Sequence, residues 1–419
     1  MSTLSGDRTG SDVRLDELSG LTPLARTTLT HDPEPVYEQL RSQWGPVPPV
    51  ELVTGVNSWL VLDYADAMHV FRDQLTFSRD VVNWPPFHDG RVPPGSALHA
   101  FLEPRESAYF VDGAEQARLR AIVDDAFDVI DERAFAAQLR TACDRMLDRI
   151  AEDGTADLVS AYTQFIPSQA VATMFGLDPE LASRLVNHVS DAFSNDAGRT
   201  MSGVMGVMTV LSEQTAVRRT HPTDDALSTI VHHPNARTPT EAVHAAALVQ
   251  VAGHELAVGW LTTSLVQLLS DAGFGARVRS GRLGIDEAID TVMTQKSPMW
   301  NATCRFVTAD VDLGGRRLHK GEAVVVAIAE ATASAHRGAD PIWSGTSRAH
   351  LGFGAGVHRC PADRFSRIIT KTGVEQALIR LPGLRLAVPA DELEFGTSLW
   401  SRSAARLPVT FVPTINPDQ

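Results

Sequence analysis

Only three cysteines, Cys143, Cys304 and Cys360, occur in the 419 residues. An odd count at wide spacing builds no disulfide framework and leaves room for one functional thiolate. Cations are also scarce, with 37 Lys and Arg against 51 Asp and Glu and a net charge of -14. That balance disfavours nucleic acid as a partner, since phosphate binding wants a surplus of Lys and Arg, and any basic docking face must be local. Long apolar runs are missing too. The greasiest stretch, "AVHAAALVQVAG", meets polar residues well before it could span a bilayer, so no membrane anchor is expected. The start, "MSTLSGDRTGSDVRLDELSG", has neither a basic opening nor an apolar core. It reads as a flexible lead-in over residues 1–25, and the expected compartment is the cytoplasm.

Internal repeats, low-complexity tracts and Pro/Ser/Gly linkers are absent as well, so 26–419 reads as one large two-lobed domain, expected to be monomeric. Helical periodicity dominates over about 114–128, 132–152, 157–175, 180–194 and 201–219. The stretch "TPTEAVHAAALVQVAGHELAVGWLTTSLVQLLSDAG" predicts a helix of some thirty residues, capped by Thr238 or Thr240, closed by Gly273 and apolar on most faces. β-branched runs occur early in "PPVELVTG" and "SWLVLDY" and later in "RFVTADVDLGGRRLHKGEAVVVAIAEA", where "LGG" marks a hairpin. Two more strands are expected in "LEFGTSLW" and "RLPVTFVP". The class is therefore mainly α with a minor β lobe. The α-rich part covers about 64–295 and 361–381, and the β-rich part about 44–63, 300–330 and 385–412.

One turn concentrates chemistry. "HLGFGAGVHRCPADR", His350 to Arg364, packs three glycines, two histidines and Cys360 ahead of an amphipathic helix. Pro361 suits a first helical position, which places Cys360 near the N-cap, where the helix dipole favours a thiolate. Gly354 and Gly356 let backbone approach something flat and large. Such a thiolate is a metal ligand or a nucleophile. A phosphate-cradling loop fits poorly, because "GFGAG" lacks the further glycine and the Lys-Ser/Thr pair. Zinc would need a second pair of ligands at usable spacing, and a buried structural cysteine is the plain alternative.

The string Phe353, Gly354, Gly356, His358 and Cys360 resembles Phe-Gly-x-Gly-x-His-x-Cys, the haem-ligand pattern of the cytochrome P450 superfamily. The resemblance implies haem b with the Cys360 thiolate as axial iron ligand, His358 against a propionate, and haem between a long central distal helix and the cysteine loop. It covers about residues 34 to 412. "AGHEL" resembles the distal Ala-Gly-x-Glu-Thr, which makes Ala252, Gly253, Glu255 and Leu256 the catalytic candidates. "DGAEQARLRAIVDDAF" resembles the helix whose His-x-x-x-Arg clamps haem, here Gln116 and Arg120, and "RFVTADVDLGG" gives Arg305 as a further propionate ligand.

Three departures qualify the resemblance. The distal threonine is Leu256, which can neither donate nor hold a water chain. The family's Glu-x-x-Arg pair falls on Thr291 and Thr294, which is similar to a divergent actinobacterial branch without that pair. Loss of both partners leaves no lone buried charge. Ala362 replaces a glycine, a mild change.

The family's pocket positions hold Trp84, Phe87, Leu256, Met299, Trp300 and Trp400, which suggests a bulky, partly planar small molecule or aromatic cyclic peptide. Arg359, Arg364 and Arg367 would suit an acidic ferredoxin, itself fed by a reductase from NAD(P)H. The implied activity is a monooxygenase or oxidase of a secondary metabolite, by hydroxylation or oxidative coupling, and the missing threonine favours coupling. The alternative is a haem-binding protein without oxygen activation, acting as a ligand-binding or regulatory subunit.

Overall fold

The computed structural model describes residues 12–30, 32–94, 96–193, 197–337, 349–396 and 398–414. They divide into two compact units, one drawn from Met1–Ala117, Met299–Arg359 and Thr397–Arg402, the other from Arg118–Pro298, Cys360–Gly396 and Ser403–Gln419. In chain order the strands are β1 (Pro49–Val53), β2 (Val56–Val61), β3 (Phe77–Ser78), β4 (Thr155–Asp157), β5 (Arg305–Val307), β6 (Val311–Leu313), β7 (Arg316–Leu318), β8 (Ala323–Val326), β9 (Arg385–Leu386) and β10 (Pro408–Thr410). Helices that position the candidate residues include α1 (Tyr64–Arg72), α2 (Gly113–Asp128), α3 (Glu132–Asp148), α4 (Ile166–Met174), α5 (Pro239–Val251), α6 (His254–Ser270), α7 (Ile285–Gln295) and α8 (Asp363–Arg380). Among the described residues, no helix is long and apolar enough to cross a membrane.

The first unit is built on a five-stranded mixed sheet of order β1-β2-β8-β5-β3. Its central pair is parallel, with Trp59 opposite Val324, Leu60 opposite Val325 and Val61 opposite Val326. Both faces of this pair are covered, which explains why these strands read as continuous apolar runs instead of alternating. Leu60, Val325 and Phe306 enter one apolar cluster, while Trp59, Val61, Val324 and Val326 enter the other. The predicted "LGG" hairpin is β6–β7, turned by Gly314 and Gly315 at φ of 55° and 77°. A Cβ on Gly314 would also lie 2.5 Å from Val47, so no larger residue fits there. The strand expected in "LEFGTSLW" reduces, among the described residues, to an isolated bridge of Phe395 with Ala404.

The second unit is a helical bundle with a small sheet, β4-β10-β9. Helix α8 lies close on α6 and α4, since a Cβ on Gly373 would meet Leu261 at 2.9 Å and Ile166 at 3.3 Å. The Tyr162 hydroxyl donates to the Gly373 carbonyl at 2.8 Å. Phe365 packs against Phe127 and Phe135, with ring centroids 5.2 and 5.6 Å away.

Three helix boundaries differ from the sequence expectation. The thirty-residue helix is two helices: Thr238 does cap α5, accepting from Glu241 N–H, but the path breaks at Ala252–Gly253 before α6. Glycine there weakens propagation. Asp271, rather than Gly273, follows the end of α6 and caps the next helix. At the cysteine, Pro361 and Ala362 form a turn and α8 starts at Asp363, so Cys360 stands just outside the helix.

Candidate functional site

In the first unit the cysteine turn is held by its glycines and by α2. Gly354 and Gly356 adopt φ of 65° and 69°, a region open to glycine. At Gly356 a Cβ would sit 2.2 Å from the Phe71 carbonyl oxygen, whereas at Gly354 it would meet open space. The Gln116 side chain, 3% exposed, donates to the Val357 carbonyl at 3.0 Å. Its bond thus goes to the turn itself. Phe353 is half-buried with its ring 5.6 Å from His350.

His358 places Nε2 3.0 Å from Asp112 Oδ1. Asp112 Oδ2 accepts from the Ser78 hydroxyl at 2.6 Å and from Arg79 N–H at 2.8 Å. Burial pushes the Asp112 carboxyl up, but these bonds outweigh it and hold it down at about 2. Burial pulls His358 down to about 4 despite the bond to Asp112, so the pair is a neutral imidazole on a carboxylate. Arg79, which carried no sequence signal, stacks 3.9 Å above the Tyr109 ring and donates to the carbonyls of Tyr109, Thr303 and Cys304.

Arg305, on β5, is 4% exposed, and its Nη1 has no hydrogen-bond partner among the described residues. Burial, reinforced by the neighbouring Arg79, pulls its guanidinium down to about 9. A buried cation of this kind is costly unless an anion joins it.

In the second unit Cys360 is half-buried, while Cys143 and Cys304 elsewhere are at most 1% exposed, and burial pushes their thiols up to about 11 and about 12. Those two are inert thiols at neutral pH. Ala252 and Gly253 are exposed at the helix break, and Glu255 and Leu256 are half-buried in the first turn of α6.

A cleft opens between this break, α4 and the start of α8, lined by small and apolar residues such as Gly253, Ala257, Ala362 and Phe365. Two polar residues missed in the sequence enter it. Gln250 is 1% exposed with neither amide atom partnered among the described residues. His254 is 5% exposed, with Nδ1 3.0 Å from the Ser168 hydroxyl, and burial pulls it down to about 4.

The remaining candidates scatter. Arg120 donates to Asp124 at 2.7 Å, one helical turn along. Trp84 is 1% exposed and stacks on Phe306 at 5.2 Å, so it belongs to the first unit's core. Phe87, Met299, Trp300 and Trp400 are half-buried in the same unit. Trp300 and Trp400 are joined through backbone, Trp300 N–H donating to the Trp400 carbonyl at 2.9 Å. Trp400 stacks on Phe101 at 5.4 Å and Phe87 on His99 at 4.7 Å. Thr291 and Thr294 turn their hydroxyls back onto the carbonyls of Glu287 and Asp290. Of the three arginines expected to form a basic patch, Arg364 pairs with Asp128 and Glu132 and Arg367 with Asp290, so much of that charge is compensated locally.

No family model matches the chain. Curated relatives do. It is 26% identical over 385 residues, 88% of this chain and 93% of the relative, to 2-hydroxy-5-methyl-1-naphthoate 7-hydroxylase of Streptomyces carzinostaticus. It is 28% identical over 389 residues, 90% and 91% of the two chains, to cytochrome P450 monooxygenase PikC of Streptomyces venezuelae. Among solved structures it is similar to testerone-bound CYP154C4 from Streptomyces sp. ATCC 11861, with a TM-score of 0.84, 24% identity and coverage of 95% of this chain and 100% of that one. The chain has the mainly helical cytochrome P450 fold expected from its cysteine turn, and the actinobacterial proteins it is similar to include cytochrome P450 monooxygenases and hydroxylases.

Proposed function

We propose that this P450 binds haem b through the Cys360 thiolate and oxidises a planar aromatic secondary metabolite, with electrons from a ferredoxin served by an NAD(P)H-dependent reductase. Arg305 carries the reading. A guanidinium buried to 4% exposure, with an unpartnered Nη1, suits an anion, and the haem propionates are anions of the right kind. The small residues Gly253, Ala257 and Ala362 along the second unit's cleft leave room for a flat edge. When bound, haem supplies one-electron and dioxygen chemistry, and thiolate ligation favours O–O cleavage.

The protein's own residues shape the outcome. Asp112 fixes the His358 ring, and Gln116 fixes the turn that carries it. Leu256 offers no proton, so protons come from Glu255 in the same turn or from an acidic group of the substrate itself. An aromatic substrate that supplies its own proton favours oxidative coupling over hydroxylation. The naphthoate acted on by one relative is also an aromatic acid with a hydroxyl. Phe87, Phe101, Trp300 and Trp400 give the first unit half-buried ring faces on which such a molecule stacks. The hydroxyls at 291 and 294, spent on their own helix, support the reading that this chain resembles a branch without the Glu-x-x-Arg pair.

Cys360→Ala should abolish the thiolate-type absorption of the reduced carbon monoxide complex, and an unchanged spectrum would overturn the assignment. Leu256 favours one rival, a haem-binding regulatory protein that does not activate oxygen. Turnover with a ferredoxin system and a panel of aromatic metabolites, read by mass, separates the two, because only the oxidase consumes NAD(P)H in a substrate-dependent way.

A further inference from the structure

Helices α7 and α8 are joined by two ion pairs arranged as a zipper. Asp286 and Asp290 stand one turn apart on α7 and meet Lys371 and Arg367, one turn apart on α8 in the opposite order. The outer pair, at 2.6 Å, is exposed, with Asp286 64% and Lys371 36% accessible. The inner pair differs: the Asp290 side chain is 8% accessible, and Arg367 also lies over the Trp260 ring, 5.8 Å from its centroid. Trp260 is itself tied to α7, its Nε1–H donating to the Ile289 carbonyl at 3.0 Å. Arg367 is therefore gripped by a carboxylate and an indole within the first turns of α8, the helix that begins three residues after Cys360.

We propose that Asp290 is a positioning residue for the cysteine: through Arg367 it fixes the first turn of α8 and so the direction in which Cys360 presents its sulfur. The inference rests on the haem-thiolate reading above. A buried pair that loses one member leaves an uncompensated charge, whereas an exposed pair contributes little. The two rungs of one zipper thus make opposite predictions.

The test is the reduced carbon monoxide spectrum of the haem-loaded full chain, scored as the fraction in the thiolate form. Asp290→Asn should lower that fraction several-fold and Asp290→Glu should restore most of it. Asp286→Asn should leave it unchanged. Thr163→Val, which breaks the buried Thr163–Thr262 bond elsewhere in the same unit, controls for general loss of stability. The proposal is overturned if Asp290→Asn keeps the wild-type fraction, or if Thr163→Val loses as much thiolate form for the same drop in Tm. Should Asp290→Asn not accumulate, Arg367→Lys keeps the charge but not the planar fork, and a wild-type spectrum there would equally count against the proposal. A wild-type protein without any thiolate form would refute the haem-thiolate reading instead.

Discussion

In the first unit Asp112, Arg79, Arg305 and His358 bring four ionisable side chains into one buried neighbourhood, whereas the cleft of the second unit admits Gln250 and His254 among apolar walls. One region is assembled around charge and leaves a cation over. The other is assembled around shape and leaves an uncharged amide over. An anion would answer the first region, and a broad apolar body would fill the second. The contrast also says how each region fails. Charge clusters respond to pH and to loss of a single partner, while apolar clefts respond to volume and to misplaced polarity.

The largest expected effect is on acid stability, where His254 in one region and His358 in the other are both pulled down to about 4. His254 is pulled down to about 4, below the ordinary 6.5, so its contribution to stability is whole above about pH 6.5 and is lost as pH falls to about 4, where both states are protonated. That amounts to about 3 kcal/mol. Asp112, held at about 2 instead of 3.8, keeps its contribution until pH falls below about 4 and loses it toward 2. Urea unfolding of the apoprotein at pH 7 and pH 4 should show His254→Leu losing about 3 kcal/mol less than wild type over that interval, and Asp112→Asn losing at least as much as wild type, because His358 then lacks the carboxylate that raises it. If both variants flatten the same limb, the two regions are not independent in acid.

Next in size is Arg305→Met, which should act in opposite directions on the empty and the loaded protein. Without ligand, removing a buried cation that has an unpartnered nitrogen should raise Tm. With haem, a lost charged hydrogen bond of about 1.5–3 kcal/mol should weaken binding by roughly 10- to 100-fold. Thermal melts and haem titrations on one preparation read both. A fall in Tm with unchanged haem affinity would mean that Arg305 supports the sheet rather than a ligand.

Much of this was legible in the chain itself, and the reason is locality. The glycines, His358 and Cys360 lie within a few residues of one another, so the family pattern they resemble can be read along the chain, and helical periodicity exposes the bundle. Arg79 contacts Cys304 across 225 positions and His358 meets Asp112 across 246, so neither partner announces the other. Trp84 shows the converse case: at a pocket position by resemblance, it lies in the apolar cluster with Phe306 as its stacking face, a contact that local sequence does not reveal. The break at Ala252–Gly253 was hidden by the apolar run around it, where composition argues for continuity and one glycine argues against it.

Gln250 gives the smallest effect and the finest division of the cleft. An orphaned amide among apolar walls costs about 1–3 kcal/mol when nothing meets it, so in the empty protein Gln250→Leu should raise Tm, the gain being at the lower end because leucine is slightly shorter. If buried water satisfies the amide, the same change should be neutral or destabilising, since the water is expelled along with its bonds. Loading with haem sharpens the comparison. Should the gain in Tm persist in the loaded protein, the amide is a plain liability. Should it vanish there while the apoprotein keeps it, the orphaned amide is answered by the bound ligand.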